Sequence, residues 1–149
     1  MGVIVGIDPG MSGAVVVVSG QRLVEVYDMP VDEVNGRKCL SPARLSAMLS
    51  QVRDELTIDM VIVEHVQGVQ QSGATSAFAF GRGFGTIEGV VAALSLPMTL
   101  VRPQRWTKAL GVGRDKGAHR AAASRLWPLD AKLFARVKDD GRADAALLC

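Results

Sequence analysis

The sequence predicts an α/β fold with a mixed central sheet, three antiparallel strands at the N-terminus followed by alternating helices and strands. Three observations lead there. Short apolar runs bounded by turn formers fill the first thirty residues, a second nearly continuous apolar run appears at 60–66, and the segments around it carry helical periodicity with recognisable caps. The chain has 149 residues, of which 48% are hydrophobic, enough for one domain (1–149) with a single sizeable core.

Val3, Ile4, Val5 and Ile7 form the first strand, and Asp8 stands at its edge. Pro9 to Gly13 reads as a tight turn, in which Gly10 and Gly13 tolerate positive φ. Ala14 to Ser19 is the second strand, and the alternating run Arg22 to Met29 completes an antiparallel meander. A loop rich in charge and turn formers leads to Ser41-Pro42, an N-cap followed by proline at the first helical position. The helix they announce runs to about Leu56, with Leu45, Met48, Leu49, Val52 and Leu56 on one face. Met60 to Val66 is a strand apolar on both faces, hence buried in the sheet, and it contains Glu64. A long helix follows from Ala74 to Leu96, whose Gly81, Gly83, Gly85 and Gly89 suggest close approach of another backbone. A strand at Met98 to Val101, helical segments at Arg102 to Leu110 and Asp115 to Trp127, and a helix from about Asp140 complete the chain. This element order is that of the ribonuclease H-like fold.

No apolar run is long enough to span a bilayer and no secretory leader is evident, so a soluble, intracellular protein without membrane association is expected. Cys39 and Cys149 have no metal-ligand spacing and cannot make a disulfide framework. Charge is unevenly placed. Residues 1–100 hold six basic and ten acidic residues, net −4, whereas 101–149 hold eleven and five, net +6. A basic C-terminal third suits either a solvated helical surface or a polyanion.

The acids form the chemical signal. Asp8 and Glu64 lie in the two strands expected to be central and adjacent, flanked by apolar residues that leave a carboxylate few other roles. In KDDGRADAALLC (138–149), Asp140 and Asp144 are four residues apart, within about 40° on a helix face. Like charges so placed repel by about 0.2–0.5 kcal/mol, and a cation reverses the sign. Asp139 competes with Asp140 for that role. A carboxylate cluster without cysteine or a histidine pair is hard-oxygen chemistry, suited to Mg²⁺ or Mn²⁺. Two such ions about 3.5–4 Å apart activate a water and stabilise the leaving oxygen of a phosphodiester. His65 points to the opposite strand face from Glu64, and His119, in a basic helix, reads as ordinary structure.

The chain resembles the Holliday junction resolvases of the RuvC class, particularly their phage and organellar branch. The motifs carrying the resemblance are GIDPGMSGA (6–14), VIVEHV (61–66), SAFAFGRGFGTIEGV (76–90), VRPQRWTKALGVGRDK (101–116) and KDDGRADAALL (138–148). It implies a homodimer that nicks two opposed strands of a four-way DNA junction using two Mg²⁺ per site, in bacterial or phage-infected cytoplasm or in an organelle. By matched position, Asp8, Glu64, Asp140 and Asp144 are the implied metal ligands, with four-residue terminal spacing pointing to the phage-like branch rather than the three of bacterial members. The aromatic that bacterial members carry after the second acid has no counterpart in Val66 to Gly73, and family members continue the last helix beyond Cys149.

For the remaining residues, Lys116 is expected beside the scissile phosphate, and Arg102, Arg105, Lys108, Arg114, Arg120, Arg125 and Arg142 offer phosphate contacts. Gln67, Gln70 and Gln71 are candidates to read base edges. Trp106 is expected to pack against its turn, while Phe80, Phe84 and Ile87, with the helix glycines, are expected at a two-fold interface. Competing readings are a nuclease for other branched DNA or RNA–DNA hybrids, a non-catalytic junction-binding protein and, using the DPGMSG turn for phosphate, an ATPase too large for this length.

Overall fold

The computed structural model describes residues 2–66 and 73–149. Strands β1 (Val3–Asp8), β2 (Ala14–Ser19) and β3 (Arg22–Asp28) form the expected antiparallel meander. β4 (Val31–Val34) and β5 (Arg37–Leu40) make a separate hairpin. Then come α1 (Pro42–Glu55), β6 (Ile58–Glu64), α2 (Gly73–Ala93), β7 (Met98–Val101), α3 (Pro103–Leu110), α4 (Lys116–Leu126) and α5 (Asp140–Leu148). Two 3₁₀ segments, Pro128–Phe134 and Val137–Asp139, join the last two helices. The main sheet has the order β3-β2-β1-β6-β7, with β6 parallel to both β1 and β7.

Strand alternation divides the core in two. Val3, Val5 and Ile7 of β1 face α1 and α2, where Leu45, Leu49, Val52, Ile87 and Val91 are buried with them. On the other face Ala14, Val16 and Val18 of β2 meet Ala143, Ala146 and Leu147 of α5, Ala122 and Ala123 of α4, and Phe134. Gly6 and Asp8 share this second face by the period of two. A Cβ on Gly6 would overlap the Ala145 carbonyl, and one on Gly141 would overlap the Ser12 carbonyl, so α5 lies against β1 and its following turn main chain to main chain.

The hairpin departs from the expected loop at 30–40. Asn35 (φ 52°) and Gly36 (φ 72°) supply the two left-handed residues of a tight turn, and this Asn-Gly pair was the available signal. Gly10 and Gly13 are not in the left-handed region, contrary to expectation. Gly13 is needed for space instead, since a Cβ there would strike the Asp8 main-chain oxygen. Gly81, Gly83, Gly85 and Gly89 of α2 have no backbone close to where their Cβ would be, so the expected close approach is not made within the described chain.

Ser41 caps α1 by accepting from the Arg44 N–H at 3.4 Å, with Pro42 starting the helix, as the sequence predicts. Among the described residues, no helix is long and apolar enough to cross a membrane.

Candidate active site

Parallel pairing places Ile7 opposite Val63, so Asp8 and Glu64, the next residues along, end neighbouring strands on the face covered by α5. That helix brings Asp144, 1% exposed, to the same end of the sheet. The three carboxylates feel one another. Burial, then the charges of Glu64 and Asp144, push the Asp8 carboxyl up to about 7, against the lowering influence of Lys116 and of a hydrogen bond from the Gly10 backbone. Glu64, 6% exposed, is also raised, by burial first and by Asp144.

α4 supplies the counter-charge. The Asp115 carboxylate caps it, accepting from the N–H groups of Gly117 (3.3 Å) and Ala118 (3.0 Å), which sets Lys116 at the first helical position and His119 one turn on. The Lys116 ammonium donates to Asp144 Oδ2 while its side chain stays 51% exposed. Burial works against the ammonium, yet the hydrogen bond and charge of Asp144, helped by Asp8 and Glu64, raise its pKa overall.

His119 and Trp106 sit deeper in the site than the sequence suggested. His119 is buried, with Nδ1 2.7 Å from Asp144 Oδ1 and Nε2 2.9 Å from the Gly113 carbonyl oxygen, so the ring is held at both nitrogens. The Trp106 indole donates from Nε1 to Glu64 Oε1 at 2.9 Å and meets the His119 ring edge-on at a centroid distance of 4.9 Å. Two buried side chains thus orient two of the three acids. The readable signal was the i, i+3 spacing of Lys116 and His119 behind a capping Asp115. Glu64, Trp106, Arg114, Lys116 and His119 line part of a cavity of about 220 Å³.

The fourth acid stands apart. Asp140 pairs with Arg120, and it is not among the charges acting most strongly on Asp8 or Glu64. Asp139 is buried and held by Arg136, whose Nη2 and Nε donate at 2.8 and 3.1 Å, and this lowers its pKa. Arg142 makes a bidentate pair with Asp28 at 2.7 and 2.9 Å and lies 3.6 Å from Asp139, so it ties α5 to β3 rather than facing Asp8, Glu64 and Asp144. Arg102, Arg105, Lys108 and Arg114 are exposed and form no ion pair among the described residues. Gln67, Gln70 and Gln71 lie outside the described residues. Ile87 is fully buried in the core of its own chain, so it is not available to an interface as expected; Phe84 also packs on that core and Phe80 stacks on Phe84 at 6.4 Å. Cys149 Sγ lies among the Ile4, Val16 and Ala145 carbonyls, and burial pushes its thiol up to about 12.

Asp8 and Glu64, whose affinity for protons is raised by burial and by neighbouring charge, make with Asp144 the kind of oxygen donor set a hard divalent cation neutralises. As the side chains stand, no three acidic, histidine or cysteine groups among the described residues close on one point, and both Asp144 oxygens are engaged by Lys116 and His119.

No family model and no curated protein matches the chain by sequence. Solved structures do match. RuvC of T. thermophilus in complex with a Holliday junction substrate aligns with TM-score 0.68 at 18% identity, over 99% of this chain and 92% of that one. A further Thermus thermophilus RuvC structure gives 0.64 at 19%, over 98% and 92%. The yeast mitochondrial Holliday junction resolvase Ydc2 gives 0.58 at 15%, over 97% and 75%. The chain therefore has the RuvC-type, ribonuclease H-like fold over almost its entire length.

Proposed function

We propose that the protein is a divalent-cation-dependent endonuclease that resolves four-way DNA junctions by paired nicks, acting as a homodimer. One observation carries the reading: Asp8, Glu64 and Asp144, remote in sequence, converge at one end of a RuvC-type sheet with Lys116 beside them. Asp8, Glu64 and Asp144 would hold the cation, with Mg²⁺ as the natural choice, Mn²⁺ as substitute and two per site. When bound, the metal would supply an activated water and positive charge for the leaving oxygen. Asp140 stays a candidate ligand whose recruitment requires release from Arg120.

The chain's own residues do the rest. Trp106 and His119 fix the directions of the Glu64 and Asp144 carboxylates, so orientation is set before substrate arrives. Lys116, half exposed at the rim, meets the scissile phosphate as its charge grows. Arg102, Arg105, Lys108 and Arg114 hold the flanking backbone without selecting sequence. The dimer contact is assigned to the exposed face of α2, where Gly81 and Gly85 leave open space for a second backbone. Two sites on one two-fold axis account for symmetric cuts.

The test is to incubate a labelled immobile junction, a flap and an RNA–DNA hybrid with wild type and Asp8→Asn, with and without Mg²⁺. Symmetric cutting of the junction by wild type with metal alone, with binding retained by the variant, is expected. Cutting by Asp8→Asn, or preference for the flap or hybrid, would overturn the assignment.

A further inference from the structure

The acids of α5 are held by cations of α4 in matching order. Asp140 and Asp144 stand four residues apart on α5, and Lys116 and Arg120 stand four apart on α4, so each pair lies on one helix face. Lys116 pairs with Asp144 and Arg120 with Asp140, the lower number on one helix meeting the higher on the other. The helices therefore run antiparallel and are joined by two rungs, with Ala122 and Ala123 of α4 in the same apolar cluster as Ala143, Ala146 and Leu147 of α5. Elsewhere in the site the protein uses neutral donors, the Trp106 indole for Glu64 and the Gly10 backbone for Asp8.

Both rungs are reachable from outside. Lys116 is half exposed, and Arg120 and Asp140 are partly exposed. A partly exposed ion pair contributes little, so a stronger partner on either side can replace it. Behind the first rung Asp144 Oδ1 stays on His119, which lets Oδ2 change partner without the carboxylate turning. A divalent cation competes with the Lys116 ammonium for that oxygen, and like charge keeps the two from sharing it. Phosphates compete for the other half of each rung, since arginine forks onto them bidentately and lysine meets them as a point charge.

We propose that Lys116 and Arg120 are displaceable counter-ions, which hold Asp144 and Asp140 until a nucleic-acid backbone draws the two side chains away and the freed oxygens take a divalent cation. The inference rests on the nuclease reading and adds to it a coupling: cation and DNA bind better together than apart, by the same factor whichever comes first. Rungs that served only to bolt α4 to α5 would add stability and leave cation affinity alone.

The test compares the full chain with Lys116→Met, Arg120→Gln and the double variant, each checked for folding by circular dichroism and melting. Lys132→Met removes the same charge from outside the ladder. Isothermal titration with Mg²⁺ and with Ca²⁺, without DNA, reads the competition. Loss of one rung should tighten cation binding about two- to fivefold and loss of both about tenfold, whereas Lys132→Met should change it less than about twofold. Acetylation of the wild-type protein, followed by mass spectrometry, reads displacement without any substitution: Ca²⁺ should raise the reactivity of Lys116 severalfold relative to Lys132. Fluorescence anisotropy with a labelled junction, its strands checked on a denaturing gel, should show Ca²⁺ tightening wild-type binding at least about fivefold and the double variant markedly less.

Cation affinity unchanged or weakened in the folded variants overturns the proposal. So does an equal gain from Lys132→Met, which would make the effect one of net charge, or a Ca²⁺ effect on junction binding as large in the double variant as in wild type. Failure of the nuclease reading looks different: wild type would bind neither cation at millimolar concentration and would cut no DNA. A chain that binds cation and cuts junctions, while its variants gain nothing, loses the ladder alone.

Discussion

Replacing Asp8 by Asn should make the protein more stable while ending its proposed cutting. Asp8 is pushed from 3.8 to about 7 by burial and by the charges of Glu64 and Asp144, so the folded chain holds this proton more tightly than the unfolded one. Stability from this group is therefore greatest below about pH 4 and is lost as pH rises toward 7, because native protein binds the extra proton between those limits. At about 1.36 kcal/mol per tenfold change in proton affinity, the full cost of the charge is roughly 4 kcal/mol. Asparagine mimics the protonated acid and escapes it. Melting curves in chelator should show Asp8→Asn and wild type equal near pH 4 and diverging upward. Above pH 7.5 the variant should lead by at least 2 kcal/mol, about 4 °C or more in Tm at roughly 2–4 °C per kcal/mol. Mg²⁺ should then narrow the gap by stabilising wild type alone, with about 2.7 kcal/mol available at a hundredfold excess over Kd. A variant no more stable than wild type at pH 8 would refute the idea that three converging charges strain this site.

Gly6→Ala should cost about 1–3 kcal/mol in urea denaturation, since its methyl group meets the Ala145 carbonyl, and should lower cutting about a hundredfold by shifting Asp144. His119→Ala leaves Asp144 Oδ1 without its partner and should cost about 1–3 kcal/mol by the same measurement, whereas His119→Asn, whose amide can donate in place of Nδ1, should recover part of both stability and rate. Lys116→Met should reduce single-turnover cutting by about 10²–10³ while junction affinity in anisotropy changes less than threefold, which would separate an action on the transition state from simple binding.

Much of the fold could be read from the sequence because its signals are local. The Ser41-Pro42 helix start, the meander and the Met98–Val101 strand all depend on near neighbours and appear as expected. The β4–β5 hairpin escaped although Asn35-Gly36 marked its turn, because its strands are short, charged and largely exposed and so lack an apolar pattern. In the site, Asp8, Glu64 and Asp144 were legible as acids in apolar settings. His119 and Trp106 were missed: their partners lie 25 and 42 residues away, and only the i, i+3 spacing of Lys116 and His119 hinted at the first of them. Ile87 was misread for a related reason: on a glycine-rich helix, sequence does not say which face meets its own sheet. Asp140 and Asp139 differ by one residue, and the nearby arginines that claim each of them are a matter of packing.

The main-chain seating of α5 on β1 leaves no compliant layer beneath the acids. Where side chains cushion a helix on a sheet, a change of rotamer absorbs a misfit; at Gly6 and Gly141 the spacing is set by bonded atoms, so the offset between Asp8 and Asp144 is as stiff as the polypeptide itself. Amide protons of α5 and β1 should consequently exchange through one shared opening, and a chain whose last helix has docked already has the main-chain positions of Asp8 and Asp144 fixed relative to each other.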